Sequence, residues 1–146
     1  MKNMKQLILL LTLALSFSPG RAQCDSDAFM DKCAGNLGGS IFIKSLVMKS
    51  GEATEAKPNL FSYVFSKGST YNLVVCDQNT SGNKLIVTLL DRNKKEIVSN
   101  YNKKTKKFYP SLDYPCGATG VYYIESHFES DKSGTCGVAI LGFTKQ

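Results

Sequence analysis

From Ser40 onward the chain alternates apolar and polar residues with a period of two, in eight runs separated by turn residues. That period sends successive side chains to opposite faces, as half-buried β-strands require. The runs cover 40–49, 60–66, 70–76, 84–90, 96–101, 107–112, 121–128 and 135–143. No helical pattern lies between them, which excludes the parallel α/β classes. Their regular spacing predicts an all-β fold, an eight-stranded antiparallel β-sandwich with one short N-terminal helix. The many Tyr, Phe, Val, Ile and Thr residues lean the same way. At 146 residues and 42% hydrophobic content, the chain has the size and composition of one ordinary globular domain.

The punctuation is specific. Ser66-Lys67-Gly68-Ser69 reads as a tight hairpin, Asp91-Arg92-Asn93-Lys94 as a turn seeded by Asp and Asn, and Asp131-Lys132-Ser133-Gly134 as a hairpin closing the last two strands. The stretch from Gly51 to Asn59 is the longest polar connection in the first half, a surface loop. Cys24 to Ala34 is the one convincing helix, with Asp25 or Ser26 as cap, Asp27 in the first turn and Gly35 as its stop. Within the strands, Tyr122, Ile124 and Phe128 are expected inward and Tyr123, Glu125 and His127 outward and exposed. Phe61, Tyr63 and Phe65 share a face, and 84–90, apolar throughout, suits a central strand.

The N-terminus has the parts of a secretory signal peptide: Lys2 and Lys5, an apolar stretch from Leu7 to Leu15, and small residues at Gly20 and Ala22. Residues 1–22 are expected to be removed, leaving a single domain, 23–146, in a secreted protein of the extracellular space or periplasm. An apolar run of about eleven residues falls short of the roughly 20 that span a bilayer. A lipid anchor on Cys24 competes, but Gln23 stands where that signal wants a small residue.

Cleavage also changes the charge. The whole chain carries 18 Lys plus Arg against 12 Asp plus Glu, a net +6, and losing Lys2, Lys5 and Arg21 leaves +3. The segment 92–107 alone carries seven basic residues against Glu96, so the rest of the mature chain is acidic. A nucleic-acid binder would carry a basic surplus over its folded domain.

All five cysteines follow the cleavage point, and none has the C-x-x-C spacing of a redox motif or zinc knuckle. In an oxidising compartment disulfides are expected. With strands simply alternating up and down, Cys76 and Cys136 fall at the same end and are expected to bond. Cys116 falls at the other end, beside the helix, which favours a bond to Cys33 or Cys24. Pairing Cys33 with Cys116 leaves Cys24 as the odd thiol, and a local Cys24–Cys33 bond is the competing choice.

Few residues point to catalysis. The single histidine, His127, is flanked by Glu125 and Glu129, an arrangement that could serve a small hydrolase but more simply describes a solvated strand face. No spacing singles out two carboxylates for glycosidase chemistry, and Asp77 or Asp91 with their neighbours read as turn residues, not a calcium loop. No phosphate-binding glycine loop is present. Asn79-Thr80-Ser81 has the form of a glycosylation sequon. The segment with most character is 101–110, where Lys103, Lys104, Lys106 and Lys107 stand between Tyr101 and the pair Phe108, Tyr109. Such a hairpin suits an acidic glycan, an anionic surface or an acidic partner, while lysines also serve to protect an edge strand.

Three stretches, 65–75, 85–93 with 97–100, and 117–125, resemble the strand succession of bacterial pre-peptidase C-terminal-type domains, over about residues 61–128. The resemblance implies a secreted, jelly-roll-like and non-catalytic sandwich that binds substrate or surfaces. Unlike that family's usual pattern, this chain has no attached enzyme, carries five cysteines and begins with a helix. The expectation is therefore a binding module without cofactor, metal or nucleic-acid partner, meeting a glycan or anionic surface through Tyr101 to Tyr109. A stand-alone protein ligand, such as an inhibitor or adhesion component, is the first rival, and a hydrolase using His127 the second.

Overall fold

A computed structural model describes Cys24 and residues 26–78, 83–130, 132 and 134–145, apart from the side chains of Ser26, Ala28 and Phe29. The expected leader, 1–22, and the Asn79 sequon lie outside the described residues.

Helix α1 (Ser26–Ala34) runs into one turn of 3-10 helix (Gly35–Leu37). The chain does not stop at Gly35 as expected. It turns at Gly38, whose φ of 57° suits a residue without Cβ. Ten strands follow among the described residues: β1 (Ile41–Lys49), β2 (Asn59–Phe65), β3 (Ser69–Asp77), β4 (Leu85–Leu90), β5 (Glu96–Ser99), β6 (Tyr101–Asn102), β7 (Lys107–Phe108), β8 (Ser111–Pro115), β9 (Gly120–Phe128) and β10 (Cys136–Lys145). They form two four-stranded sheets, ordered β1-β10-β3-β8 and β2-β9-β4-β5, and a two-stranded ribbon of β6 and β7. Every pairing is antiparallel.

The count differs from the eight runs because two of them break. Asn100 separates β5 from β6, and Tyr109-Pro110 separates β7 from β8. Two of the three predicted turns also connect differently. The turn at Ser66–Ser69 links β2 to β3, and the segment after β9 leads to β10, but in both cases the strands lie in different sheets. Asp131 and Ser133 of the latter lie outside the described residues. The Asp91 turn does close a hairpin, with Asp91 Oδ1 accepting from the amides of Asn93 and Lys95 at 2.8 and 2.9 Å.

One core lies between the two larger sheets. Leu46, Met48, Leu73, Ala139 and Leu141 from the first meet Phe65, Leu85, Val87, Leu89 and Ile124 from the second. Phe65 is wholly buried and stacks on Tyr71 at 3.7 Å and on Tyr122 at 4.9 Å between centroids. Burying such a ring is worth about 1.5–3 kcal/mol relative to exposure. Strand β4 is buried along its whole length between β9 and β5, as its apolar run predicts.

The helix covers the opposite face of the first sheet. Cys33, Leu37, Val74, Val138 and Ile140 form a smaller apolar cluster there, with Met30 and Cys76 against it. Close approach is possible because β10 carries Gly142: a Cβ there would come within 2.7 Å of Leu37 Cδ2. Two disulfides fasten the layer, Cys24–Cys136 and Cys33–Cys76, with Cα separations of 5.7 and 5.9 Å.

The predicted pairings, Cys76–Cys136 and Cys33–Cys116, are thus replaced. Cys76 and Cys136 do lie at the same end of neighbouring strands, but Cys76 sits opposite Val138, which makes Cys136 its diagonal neighbour. Diagonal residues stand about 7–8 Å apart, too far for a disulfide. Both thiols face the helix, and their partners are Cys33 within it and Cys24 just before it. The odd thiol is Cys116, buried at the other end of β3, and not Cys24.

No helix among the described residues is long and apolar enough to cross a membrane. Two disulfides are consistent with a secreted protein.

Candidate functional site

The lysine-bearing segment folds as a short ribbon whose base is tied to both sheets. Asn100 is the fastening, 2% exposed. Its side chain accepts from the Val87 amide at 2.8 Å and donates to the Leu85 carbonyl at 3.1 Å. Its own amide donates to the Val87 carbonyl, and its carbonyl accepts from the Tyr109 amide. On the far side the Val75 amide donates to the Pro110 carbonyl at 2.8 Å, joining the ribbon to β3. Two strands of two residues each would not hold by themselves. These bonds hold them.

At the tip, Asn102 Oδ1 accepts from the amides of Lys104 and Thr105 at 3.0 and 3.1 Å, and Lys106 takes a positive φ of 53°. Lys103, Lys104, Lys106 and Lys107 are all exposed, Tyr101 and Phe108 half-buried, and Tyr109 45% exposed. Tyr101 and Phe108 lie across the ribbon with ring centroids 4.6 Å apart, and Lys84 Nζ sits 4.8 Å from the Phe108 centroid.

The ribbon divides two depressions of opposite character. On one side Phe108 and Tyr109 line a groove of about 310 Å³ with Lys32, Lys84 and Asp77. On the other, Tyr101 and Lys103 line a cleft of about 620 Å³ over the outer face of the β2-β9-β4-β5 sheet. Lys104, Lys106 and Lys107 belong to neither. The predicted residues are therefore one structural unit but not one pocket.

The cleft joins Glu125, His127 and Glu129, which the strand pattern marked, to residues that it did not. Ile86 and Thr88 of β4 and Glu125 and His127 of β9 line it, with Glu96 and Ser99 of β5. Thr54, Glu55 and Ala56, from the loop between β1 and β2, form another wall. Lys103 Nζ lies 3.5 Å from Glu55 Oε1, an exposed ion pair across the mouth. Exposed pairs of this kind add little stability.

His127 is placed on the predicted face but is not exposed. It retains 8% of its surface, in a cleft walled by the loop and the ribbon. Its Nδ1 is buried without a hydrogen-bond partner among the described residues. Burial holds the imidazole below its usual pKa, against the raising influence of Glu55 and Glu125. It is therefore neutral at pH 7.

At the opposite end, Tyr122 donates to the Ala118 carbonyl at 2.9 Å, and Tyr114 and Cys116 lie beside its hydroxyl. The hydrogen bond with Tyr114 and burial raise the pKa of Tyr122, keeping it a neutral donor. This cluster closes the core around the odd thiol. Among the described residues no group of three or more His, Cys, Asp and Glu side chains is arranged to hold a metal ion.

Comparison with known proteins finds no protein-family model that matches the chain and no curated protein that matches it.

Proposed function

We propose that the chain is a secreted, non-catalytic binding module, a jelly-roll β-sandwich that meets an acidic glycan or other anionic surface through the 101–109 ribbon. The two sheet orders, β1-β10-β3-β8 and β2-β9-β4-β5, with strands that pass back and forth between sheets, accord with a jelly roll. The resemblance to pre-peptidase C-terminal-type domains points in the same direction.

The observation that carries the binding role is the placement of Tyr109. Its 45% exposed ring borders the groove whose other walls carry Lys32 and Lys84, while four further lysines stand exposed on the same ribbon. An aromatic face beside several ammonium groups suits a sugar ring bearing carboxylates or sulfates. The ribbon is also tied down at its base, so binding would not have to order it.

A hydrolase centred on His127 would need a base oriented by a carboxylate and aimed at a nucleophile. The buried Nδ1 of His127 has no hydrogen-bond partner among the described residues that would orient the ring.

Replacing Lys103, Lys104, Lys106 and Lys107 together by Ser is expected to weaken heparin binding about tenfold or more and to flatten its salt dependence. Because all four are exposed, the unfolding temperature should hardly move. Undiminished heparin binding by this variant would remove the ribbon from the site.

A further inference from the structure

We propose that the open edge of β2 is a docking site for a partner protein, which adds one extended, acidic segment to the β2-β9-β4-β5 sheet as a fifth strand. The proposal goes beyond the anionic-glycan reading and does not depend on it. Strands β1 and β2 border one side of the sandwich, while the 101–109 ribbon lies between β5 and β8 in the chain, the strands that border the other.

The first ground is the backbone. Among the described residues β2 pairs with β9 alone, in an unbroken antiparallel register over 59–65. Adjacent residues of a strand turn their N–H and C=O groups to opposite sides, so every second residue of this edge offers both groups to a newcomer. Nothing within β2 obstructs pairing: it has no bulge, no proline and no charged side chain. By contrast, the edge strand β5 is four residues long, and β8 ends in Pro115. Main-chain groups presented in this way recognise an extended chain, and the side chains on either face then select among such chains.

The second ground is the outer face. Phe61 and Phe65 turn toward the core, and alternation puts Leu60, Ser62 and Val64 outward, with exposed Val64 opposite exposed Val121. With Ser62 and Tyr63 the two valines line a shallow groove of about 400 Å³ along the edge. At Val121 it meets a second groove of about 280 Å³, walled by Arg92, Ala118 and Gly120. A strand added to β2 would lay every second side chain along this face.

The third ground is charge, and it selects the occupant. Lys57 stands two residues before β2 and Lys67 two residues after it, both exposed. Lys44 of β1 lies beside the middle of the strand, lining a crevice with Phe61, Ser62 and Tyr63. None of the three is in an ion pair among the described residues. Along the paired stretch of β9 the one acidic side chain is Glu125, across from Leu60. Positive charge at both ends and along the flank favours an acidic segment. A second copy of the chain is the weaker occupant, because two-fold pairing of β2 about Ser62 would bring two Lys44 side chains together.

The probe is the peptide Asp-Asp-Val-Thr-Val-Thr-Val-Thr-Val-Asp-Asp, whose core is as long as β2 and whose acidic ends reach Lys57 and Lys67. Two companions accompany it. One carries Lys in place of each Asp; the other is the acidic peptide N-methylated at two adjacent core residues, which removes a donor from each of its edges. The acidic peptide is expected to shift the backbone amide NMR signals of 59–65 saturably and to slow their hydrogen exchange. The basic peptide should bind about tenfold more weakly or less, and the N-methylated one not at all. Lys44→Glu, at an exposed position, should weaken binding of the acidic peptide about three- to tenfold and strengthen that of the basic one.

At physiological salt the variant lacking the four ribbon lysines should bind the acidic peptide as the natural chain does. Loss of heparin binding alone therefore leaves this proposal standing. It is overturned if the acidic peptide leaves the 59–65 signals unmoved, or if either companion binds as tightly. Protection of 59–65 that rises with protein concentration alone would make the occupant a second copy, and would overturn it too.

Discussion

His127 shows how a local pattern can be right and its consequence wrong. Alternation along β9 puts it on the face away from the core, and it is on that face. The cleft it lines is walled by Thr54–Ala56, from a loop some 70 positions earlier in the chain, and by Tyr101 and Lys103 of the ribbon, neither of which a period within β9 reports. The burial has a thermodynamic sign. A histidine held below its ordinary pKa binds fewer protons in the folded state than in the unfolded one, whose value is about 6.5. Its contribution to stability is complete above about pH 6.5 and is lost as pH falls through the lower, folded value. Unfolding temperatures measured from pH 7.5 down to 5 should therefore decline for the natural chain. They should decline less for His127→Gln; equal slopes in the two proteins would mean that the imidazole is not held neutral by the fold.

Among the elements, helix α1 depends most on its tethers. Nine residues are too few for a stable isolated helix. Its apolar contact is thin, chiefly Met30, Cys33 and the following Leu37. The Cys33–Cys76 bond closes a separation of 43 residues and Cys24–Cys136 one of 112, each contributing about 3–5 kcal/mol in the loop-entropy account. Removing the inner bond with Cys33→Ala and Cys76→Ala should lower stability by about 2–4 kcal/mol. It should also strip hydrogen-exchange protection from 26–37 while leaving β3, β4 and β9, which share the other core, protected. Equal loss of protection in the sheets would mean that the helix belongs to the same cooperative unit.

The strands themselves were legible, most of them to within about two residues, because the period of two is a local signal. Their partners were not. Ser66–Ser69 has the composition of a hairpin turn, yet the chain there crosses from one sheet to the other, a choice made by the core around Phe65 and not by the turn. The disulfides failed for the same reason. Cys76 and Cys136 were placed at the same end correctly, but which thiol reaches which depends on the helix laid across that face. In the site, the ribbon from Tyr101 to Tyr109 was found by its composition. Its division into a cationic groove and an acidic cleft depends on Lys32, Lys84, Glu55 and Glu96, which come from four separate parts of the chain.

At the scale of the whole molecule, two open sheets leave four edges, and unpaired strand edges invite association with other chains. Three are guarded. Strand β1 carries Lys44 and Lys49 and an irregularity between Phe42 and Lys44; β5 is four residues long and starts with Glu96; β8 contains Asp113 and ends in Pro115. The fourth, β2, reads Asn-Leu-Phe-Ser-Tyr-Val-Phe, with no charge and no proline, and leaves Leu60 42% and Val64 57% exposed. The ribbon's lysines, read from sequence as edge protection, stand at the β5 and β8 end of the sheets and guard nothing on β2. Association should therefore start at β2, and a charge there should suppress it. Val64→Lys replaces a largely exposed side chain on the outer face, so its cost in stability should stay within about 0.5 kcal/mol. Light scattering during prolonged incubation of concentrated protein should show slower growth of large species for Val64→Lys than for the natural chain. A matching Lys on the already guarded edge β1, at Val47, should make little difference. If the two substitutions slow growth equally, net charge and not the open edge governs association.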